Sequence, residues 1–353
     1  MEIEASLPPP KVRFNKICKN YALRTLQMHE NYLIRLRVSS SFPSYTNEIK
    51  LDWTKFLDWN EKENNRNYIQ NEPDTVLSSE SIRRRKRRKI SKKKKQQISQ
   101  LFRITASIAD LLSSLKIEEI SHKEDTSWKN CLNSLIDINI SELSKEEEAI
   151  QHKNQIQNLT KYQNINNYII YSDDSKYEKT GNLGAGIFYT KNFNTENSGS
   201  LSWNLGSYME VFDAELVAVE KAFELAFNQI SFLTKDIWIF SDSQAAIQRL
   251  QKLNLNTGQI HVLAIENWTA KIKSKYQVNI HLSWVPGHMN ILGNEKADQA
   301  AKKGTESQKT YSKHASLSYI KKRIKESVLL EWQQEYVNIN KDKFYSQIKC
   351  FPR

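Results

Sequence analysis

The stretch Trp284-Val285-Pro286-Gly287-His288-Met289-Asn290-Ile291-Leu292-Gly293-Asn294-Glu295-Lys296-Ala297-Asp298 joins a strand, a turn and a helix in one short run. Val278, Ile280, Leu282 and Trp284 alternate with Asn279, His281 and Ser283, the period-two pattern of a half-buried strand. Pro286-Gly287 closes that strand. Asn294 is placed to cap a helix that runs through Ala297, Ala300 and Ala301 to Gly304. Asp298 then falls in its second turn and faces back toward the loop carrying His288. Alone, such a pair also suits an ordinary surface loop and a solvated helix.

Three further acids stand at the edges of apolar elements, where a charge is costly unless it is paired or metal-bound. Tyr168-Ile169-Ile170-Tyr171-Ser172-Asp173 predicts a short strand ending in an acid. Gly184–Tyr189 and Ser200–Leu205 predict two more strands joined by hairpin loops. From about Met209 the period turns helical, with Phe212, Leu216, Val219, Phe223 and Ala226 in one stripe and Glu215 beside it. Asp236-Ile237-Trp238-Ile239-Phe240-Ser241-Asp242 predicts a strand covered on both faces, again ending in an acid. A helix through Ala245, Ile247 and Leu250 follows, then another from about Gln259 to Lys273. The order β-β-β-α-β-α-α-β-α predicts an α/β fold: a five-stranded mixed sheet, half antiparallel hairpin and half parallel, layered by helices.

Ligands of open α/β sheets gather at the carboxyl ends of the strands. Asp173 and Asp242 both stand there, and Glu215 and Asp298 can converge on the same edge from their helices. Singly, each could be a turn cap or a helix-surface residue. Four carboxylates in one place could not all stay ionised without cations, and Mg²⁺ suits oxygen ligands of this kind. Two such ions, about 3.5–4 Å apart, would activate water and stabilise the leaving oxygen of a phosphodiester.

The 353 residues leave room for about two domains, and the formal net charge of +12 points to a polyanionic partner such as nucleic acid. Cys18, Cys131 and Cys350 match no zinc or disulfide spacing, which suits a reducing compartment. No apolar run approaches the ~18 residues of a membrane span, and Met-Glu-Ile-Glu does not begin a signal peptide. The expectation is a soluble intracellular protein. Residues 1–60 predict a helix from Val12 to about Met28, with Val12, Ile17, Tyr21, Leu23 and Leu26 as its apolar stripe, and a second patch at Leu33–Arg37. Residues 61–165 carry the basic runs Arg83–Lys89 and Lys92–Lys95, expected to be disordered and compatible with nuclear import or phosphate binding. They also hold helical patterns at Leu101–Leu115 and the acidic run Glu146-Glu147-Glu148. The catalytic domain is expected at 166–306. A tail at 307–353 follows, with one helix whose apolar face is Leu317, Ile320, Ile324, Val328 and Trp332.

The segment from about Tyr168 to Gly304 resembles the type 1 ribonuclease H domain, most closely the version at the C-terminal end of non-LTR retrotransposon reverse transcriptases. Four motifs carry the resemblance: Asp173-Asp174-Ser175, Asp213-Ala214-Glu215-Leu216, Ser241-Asp242-Ser243-Gln244, and Trp284 through Asp298. The resemblance implies a ribonuclease H-like three-layer fold and endonucleolytic hydrolysis of the RNA strand of RNA–DNA hybrids. Water would attack the phosphodiester, leaving 5′-phosphate and 3′-hydroxyl ends. Asp173, Glu215, Asp242 and Asp298 would hold two Mg²⁺ ions (or Mn²⁺), with Asp173 bridging both. His288 would assist proton transfer or product exit. Ser175, Ser243, Gln244 and Asn294, which stand in the same motifs, would touch substrate. Residues 1–60 weakly resemble the connection after the polymerase of such polyproteins, which would make this chain a retroelement fragment and the rest of the polyprotein a partner.

Three features depart from the family. Asp174 stands where glycine is usual, Val211 and Phe212 replace hybrid-contacting asparagines of some relatives, and Leu253–Gly258 carries no basic handle. Aspartate at 174 adds negative charge beside a site that must accept a phosphodiester. Slow cleavage is therefore expected, and faster cleavage in Asp174→Gly; the alternative is a decayed, nucleic-acid-binding remnant. Tyr171-Ser172-Asp173-Asp174 also matches the Tyr-x-Asp-Asp of a reverse transcriptase palm, but no upstream partner aspartate or following apolar strand supports that reading.

Overall fold

The structure is a computed structural model that describes residues 10–27, 108, 116–118, 131–161, 166–191, 197–251, 256–308, 310–311 and 314–340. The patch at 33–37, the basic runs at 83–95, the pattern at 101–115 apart from Ile108, residues 252–255 and the tail beyond 340 lie outside these. The chain divides into two compact units, Ile117–Tyr319 and Met1–Lys116 with Ile320–Arg353. In chain order the elements are α1 (Pro10–Gln27), β1 (Lys116–Ile117), α2 (Cys131–Leu135), β2 (Asp137–Asn139), α3 (Lys145–Lys161), β3 (Asn166–Lys176), β4 (Leu183–Lys191) and β5 (Ser198–Gly206). They continue with α4 (Val211–Gln229), β6 (Thr234–Ser241), α5 (Gln244–Leu250), α6 (Gln259–Lys275), β7 (Asn279–Trp284), α7 (Leu292–Glu306), β8 (His314–Ala315) and α8 (Leu317–Asn340).

The main sheet has the order β2-β7-β6-β3-β4-β5. Strands β3, β6 and β7 are parallel, while β3–β4 and β4–β5 are antiparallel. The expected mixed sheet with its hairpin half and parallel half is therefore present, and β3 lies where the two halves meet. It has six strands rather than five. The extra one, β2, adds parallel to the β7 edge with Ile138 opposite Leu282.

Alternation along each strand sends successive side chains to opposite faces. Tyr168 and Ile170 of β3, Ile237 and Ile239 of β6, and Ile280 and Leu282 of β7 join Leu216, Val219 and Phe223 of α4 and Val262 and Ile265 of α6 in one core. Ile169, Tyr171 and Phe240 point the other way, into a cluster with Val285, just past β7, Ala297 of α7 and, at its margin, Ile156 of α3. The result is three layers. Each fully buried Ile or Phe contributes roughly 1.5–3 kcal/mol, so both helical layers are tied firmly to the sheet.

The α3 layer docks through polar residues as well. His152 is buried, and its Nε2 lies 3.0 Å from the Tyr171 hydroxyl while its ring meets Phe240 edge-on. Burial pushes His152 down to about 4, so it stays neutral. Helix α7 comes closer to the sheet than side chains would allow. A Cβ on Gly186 of β4 would lie 2.1 Å from the Ala301 backbone nitrogen, so glycine lets helix and strand touch backbone to backbone.

Two local expectations are corrected. Asn294 does not cap its helix: α7 begins at Leu292 with Ile291 at the cap position, because the Asn294 amide is engaged elsewhere. Helix α1 forms at the expected place and buries Val12 and Leu23 of its expected stripe, but not Ile17 and Tyr21. Ile17 and Tyr21 are 65% and 49% exposed, whereas Val12, Lys19, Ala22 and Leu23 are buried. The cause is Lys19, whose ammonium pairs with Glu331 of α8 and lies 3.3 Å from Ser327 Oγ, turning a basic residue inward. In α8 the expected residues Leu317, Ile320, Ile324, Val328 and Trp332 are all buried. Among the described residues no helix is long and apolar enough to cross a membrane.

Candidate active site

The pairing of β3 with β6 sets the site. Ser172 lies opposite Ser241 in this parallel register, so the next residues, Asp173 and Asp242, emerge side by side where the β3–β6 pairing ends; β3 does not stop at Asp173 as expected but runs on to Lys176, paired with β4. By alternation both belong to the face that α7 covers. Asp298, in the second turn of α7, acts electrostatically on both. Its Oδ2 also accepts a 2.6 Å bond from Lys302, one turn on. Glu215 reaches the same edge from the opposite layer, on α4, where Ser243 at the start of α5 hydrogen-bonds its carboxylate. The Ser243 hydroxyl also accepts from Ala246 N at 3.2 Å, which caps α5. The structure thus brings all four sequence-predicted carboxylates together.

Asp242 is the most heavily supported of them. Its backbone oxygen accepts from Trp284 Nε1 at 3.0 Å, and its Oδ2 accepts from Asn294 Nδ2 at 3.3 Å. The loop before α7 passes close above it. A Cβ on Gly287 would lie 2.7 Å from Asp242 Oδ2, so the Pro-Gly pair that ends β7 also makes room for the carboxylate. His288 and Asn290 follow in the left-handed region, at φ 60° and 56°. Histidine and asparagine are among the few non-glycine residues that tolerate it. His288 is exposed at the rim, and its charge acts on Asp242.

The expected contact residues divide. Ser243 and Asn294 are buried and hold Glu215 and Asp242 respectively. Gln244 is exposed at the first turn of α5, and Ser175 is half-buried on β3 opposite Gly184. Sequence reasoning missed how far Asp174 enters the site: it hydrogen-bonds with Glu215. The signal was available in strand alternation. Residue 174 shares the face of Tyr168 and Ile170, and that face is the one α4 covers.

The electrostatics follow from crowding. Burial, then Asp242, raises Asp173 to about 8. Burial, then Asp242, raises Asp174 to about 7. Burial, then Asp174 and Asp242, raises Glu215 to about 9. Asp242 is raised by burial too, against the opposing pull of Asn294. Buried like charges of this kind call for protons or cations. Glu215 Oε2 and Asn294 Oδ1 are buried and have no hydrogen-bond partner. Among the described residues no three acid, histidine or cysteine side chains stand close enough to enclose an ion as they are. That spacing accords with mutual repulsion, and the donor set, all carboxylate oxygen, fits a hard divalent cation.

Residues 165–306 match the family model described as RNase H. Among solved structures, RNase H1 from the halophilic archaeon Halobacterium salinarum is similar at 18% identity and a TM-score of 0.30, covering 40% of this chain and 98% of that one. The prototype foamy virus protease-reverse transcriptase is similar at 21% identity and a TM-score of 0.32, covering 41% of this chain and 22% of that one. No curated protein matches.

Proposed function

We propose that residues 165–306, which match the RNase H family, act as a divalent-cation-dependent endonuclease on the RNA strand of RNA–DNA hybrids. The observation that supports this most is the β3–β6 register, which sets Asp173 beside Asp242 with Glu215 and Asp298 approaching from the two helical layers. Divalent cations, when bound, lower the pKa of water and stabilise the leaving 3′-oxygen.

Each residue then has a task. Asp173 of β3 and Asp242 just past β6 would hold the cations from the sheet edge. Glu215 and Asp298 would complete the set from α4 and α7. Asn294 and Trp284 fix Asp242, so Asn294 acts as a positioning residue before any contact with substrate. His288, exposed on its left-handed turn, takes or gives a proton during the reaction. Ser175 and Gln244 are the accessible candidates for sugar and phosphate contacts, where the 2′-hydroxyl distinguishes RNA from DNA. Water adds to phosphorus as the bond to the 3′-oxygen breaks, leaving 5′-phosphate and 3′-hydroxyl ends.

The four motifs also support descent from a retrotransposon polyprotein, whose remaining parts would be its partners, and the basic run at 83–95 supports a nuclear location. A second reading, a decayed nucleic-acid-binding remnant, is favoured by Asp174 and by the basic runs at 83–95. Cleavage of a labelled hybrid in Mg²⁺, beside duplex RNA and duplex DNA, separates the two. Hybrid-only cleavage supports the nuclease, and binding without cleavage supports the remnant.

A further inference from the structure

The family match ends at 306, but the compact unit that holds the site runs on to Tyr319. The segment between is laid against β5 and α4. Asn204 Nδ2 of β5 donates to Ser307 O, Tyr311 N donates to Asn204 O at 2.6 Å, and Lys221 Nζ of α4 lies 4.3 Å from the centre of the Tyr311 ring. Ser316 N then donates to Tyr208 O at 2.9 Å, just before α4 begins. The segment ends on Asp213, in the first turn of α4. Asp213 is fully buried, and a carboxylate there is costly unless donors surround it. Three do: Glu210 N donates to Oδ2 at 3.1 Å, Thr257 Oγ1 to Oδ1 at 3.3 Å, and Ser318 Oγ to Oδ2. Ser318 N in turn donates to Thr257 Oγ1 at 3.1 Å. Asp213 therefore joins the starts of three helices, α4, α6 and α8. Glu215 stands two residues further on, roughly 200° round the helix. The cluster grips α4 on one side while Glu215 meets the sheet edge on the other. The first turn of a helix has four backbone N–H groups with no partner inside it, so it is the part that most needs holding from outside.

We propose that Ser318, together with Thr257, is a positioning residue for Glu215, so that the segment following the family-matched stretch sets how well the site takes up a divalent cation. The inference rests on the nuclease reading and concerns how firmly one of its carboxylates is held. In this role Ser318 touches neither cation nor substrate. It acts through Asp213 and the α4 backbone, and a small displacement of Glu215 weakens both cation binding and turnover.

The test compares the full chain with Ser318→Ala, Ser318→Thr, Thr257→Val and Ile272→Val. Ile272 is buried in the last turn of α6, at the opposite end of that helix from Thr257. Removing one methylene there lowers stability without touching the cluster. Two quantities are read: the Mg²⁺ concentration that gives half of the thermal stabilisation, and kcat on a labelled hybrid at a temperature where every protein is folded. Ser318→Ala and Thr257→Val are expected to need roughly tenfold more Mg²⁺ and to turn over roughly tenfold more slowly, with KM for the hybrid unchanged. Ser318→Thr, which keeps the hydroxyl, and Ile272→Val are expected to match the unaltered chain in both. Should one of the two hydroxyl-deleting variants not fold, the other carries the comparison. If Ser318→Ala loses stability as Ile272→Val does but keeps the unaltered Mg²⁺ midpoint and kcat, the contact only supports the fold and the inference is overturned. It is overturned equally if Ser318→Thr behaves like Ser318→Ala. An unaltered chain that binds Mg²⁺ yet cleaves no hybrid sinks the nuclease reading, while the Mg²⁺ midpoints still decide the positioning role. With no Mg²⁺ stabilisation of the unaltered chain, both fall.

Discussion

At the scale of single residues, the site is a set of charges held together against their repulsion. Asp173, Asp174 and Glu215 are each raised above the ordinary carboxylate range, first by burial and then by one another. A raised acid contributes stability that is complete below the unfolded value and is lost as pH climbs through the folded one. In chelator, the protein is therefore expected to lose stability as pH rises from about 4 to about 9. Saturating Mg²⁺ should remove most of that loss, and Asp173→Asn should flatten it while raising the metal-free melting temperature. Urea titrations across that range check this, and a pH-independent midpoint in chelator would contradict it. His288 should behave differently, since it stands exposed at the rim. His288→Ala is expected to slow hybrid cleavage about 100-fold yet leave cation binding as it was. Loss of cation binding in that variant would show that the histidine is a ligand rather than a proton carrier.

At the scale of elements, strand and helix order between 166 and 306 was legible because each element announces its period. Tyr168–Tyr171 and Ile237–Phe240 alternate into two cores, and the α4 stripe repeats every three or four residues. What escaped has physical reasons. Strand β2 is Asp137-Ile138-Asn139, too short to show a period, and its place comes from pairing with β7 far along the chain. Helix α3 buries Glu148 and His152, so a search for apolar stripes passes over the face that docks. Asn294 had the side chain of a cap but was claimed by Asp242. In α1, Lys19 was turned inward by Glu331, a partner no local pattern reveals. Two tests belong here. A chain of residues 166–306 lacks α3 and should unfold at lower urea than one of residues 117–319, because Tyr171 and Phe240 lose the His152 contact. Gly186→Ala should destabilise by about 1–3 kcal/mol, since its methyl group would meet the α7 backbone. An unchanged urea midpoint in either comparison would mean that these layers are looser than the packing described above.

At the scale of the whole molecule, one unit carries the carboxylates and a long basic stretch lies elsewhere in the chain. The four site acids were legible because each follows an apolar strand run or flanks an apolar helix stripe, and their convergence needed only the sheet order. The charge balance was legible too, but its use was not, because the runs at 83–95 fall outside the described residues. Replacing Arg83–Arg88 by neutral residues should weaken hybrid affinity at low salt and flatten its salt dependence, with the cleavage pattern unchanged. Salt-titrated binding of a labelled hybrid checks this, and an identical slope would exclude these residues from the phosphate contacts.

The central claim is that the carboxylates at the edge where the β3–β6 pairing ends hydrolyse RNA paired to DNA. It is tested most directly by cleavage of an RNA-labelled hybrid in Mg²⁺ by the full chain and by its Asp173→Asn variant, with circular dichroism confirming that both are folded. The expected result is RNA fragments with 5′-phosphate ends from the unaltered chain, none in chelator, and none from the variant. Equal cleavage by the folded variant would contradict it.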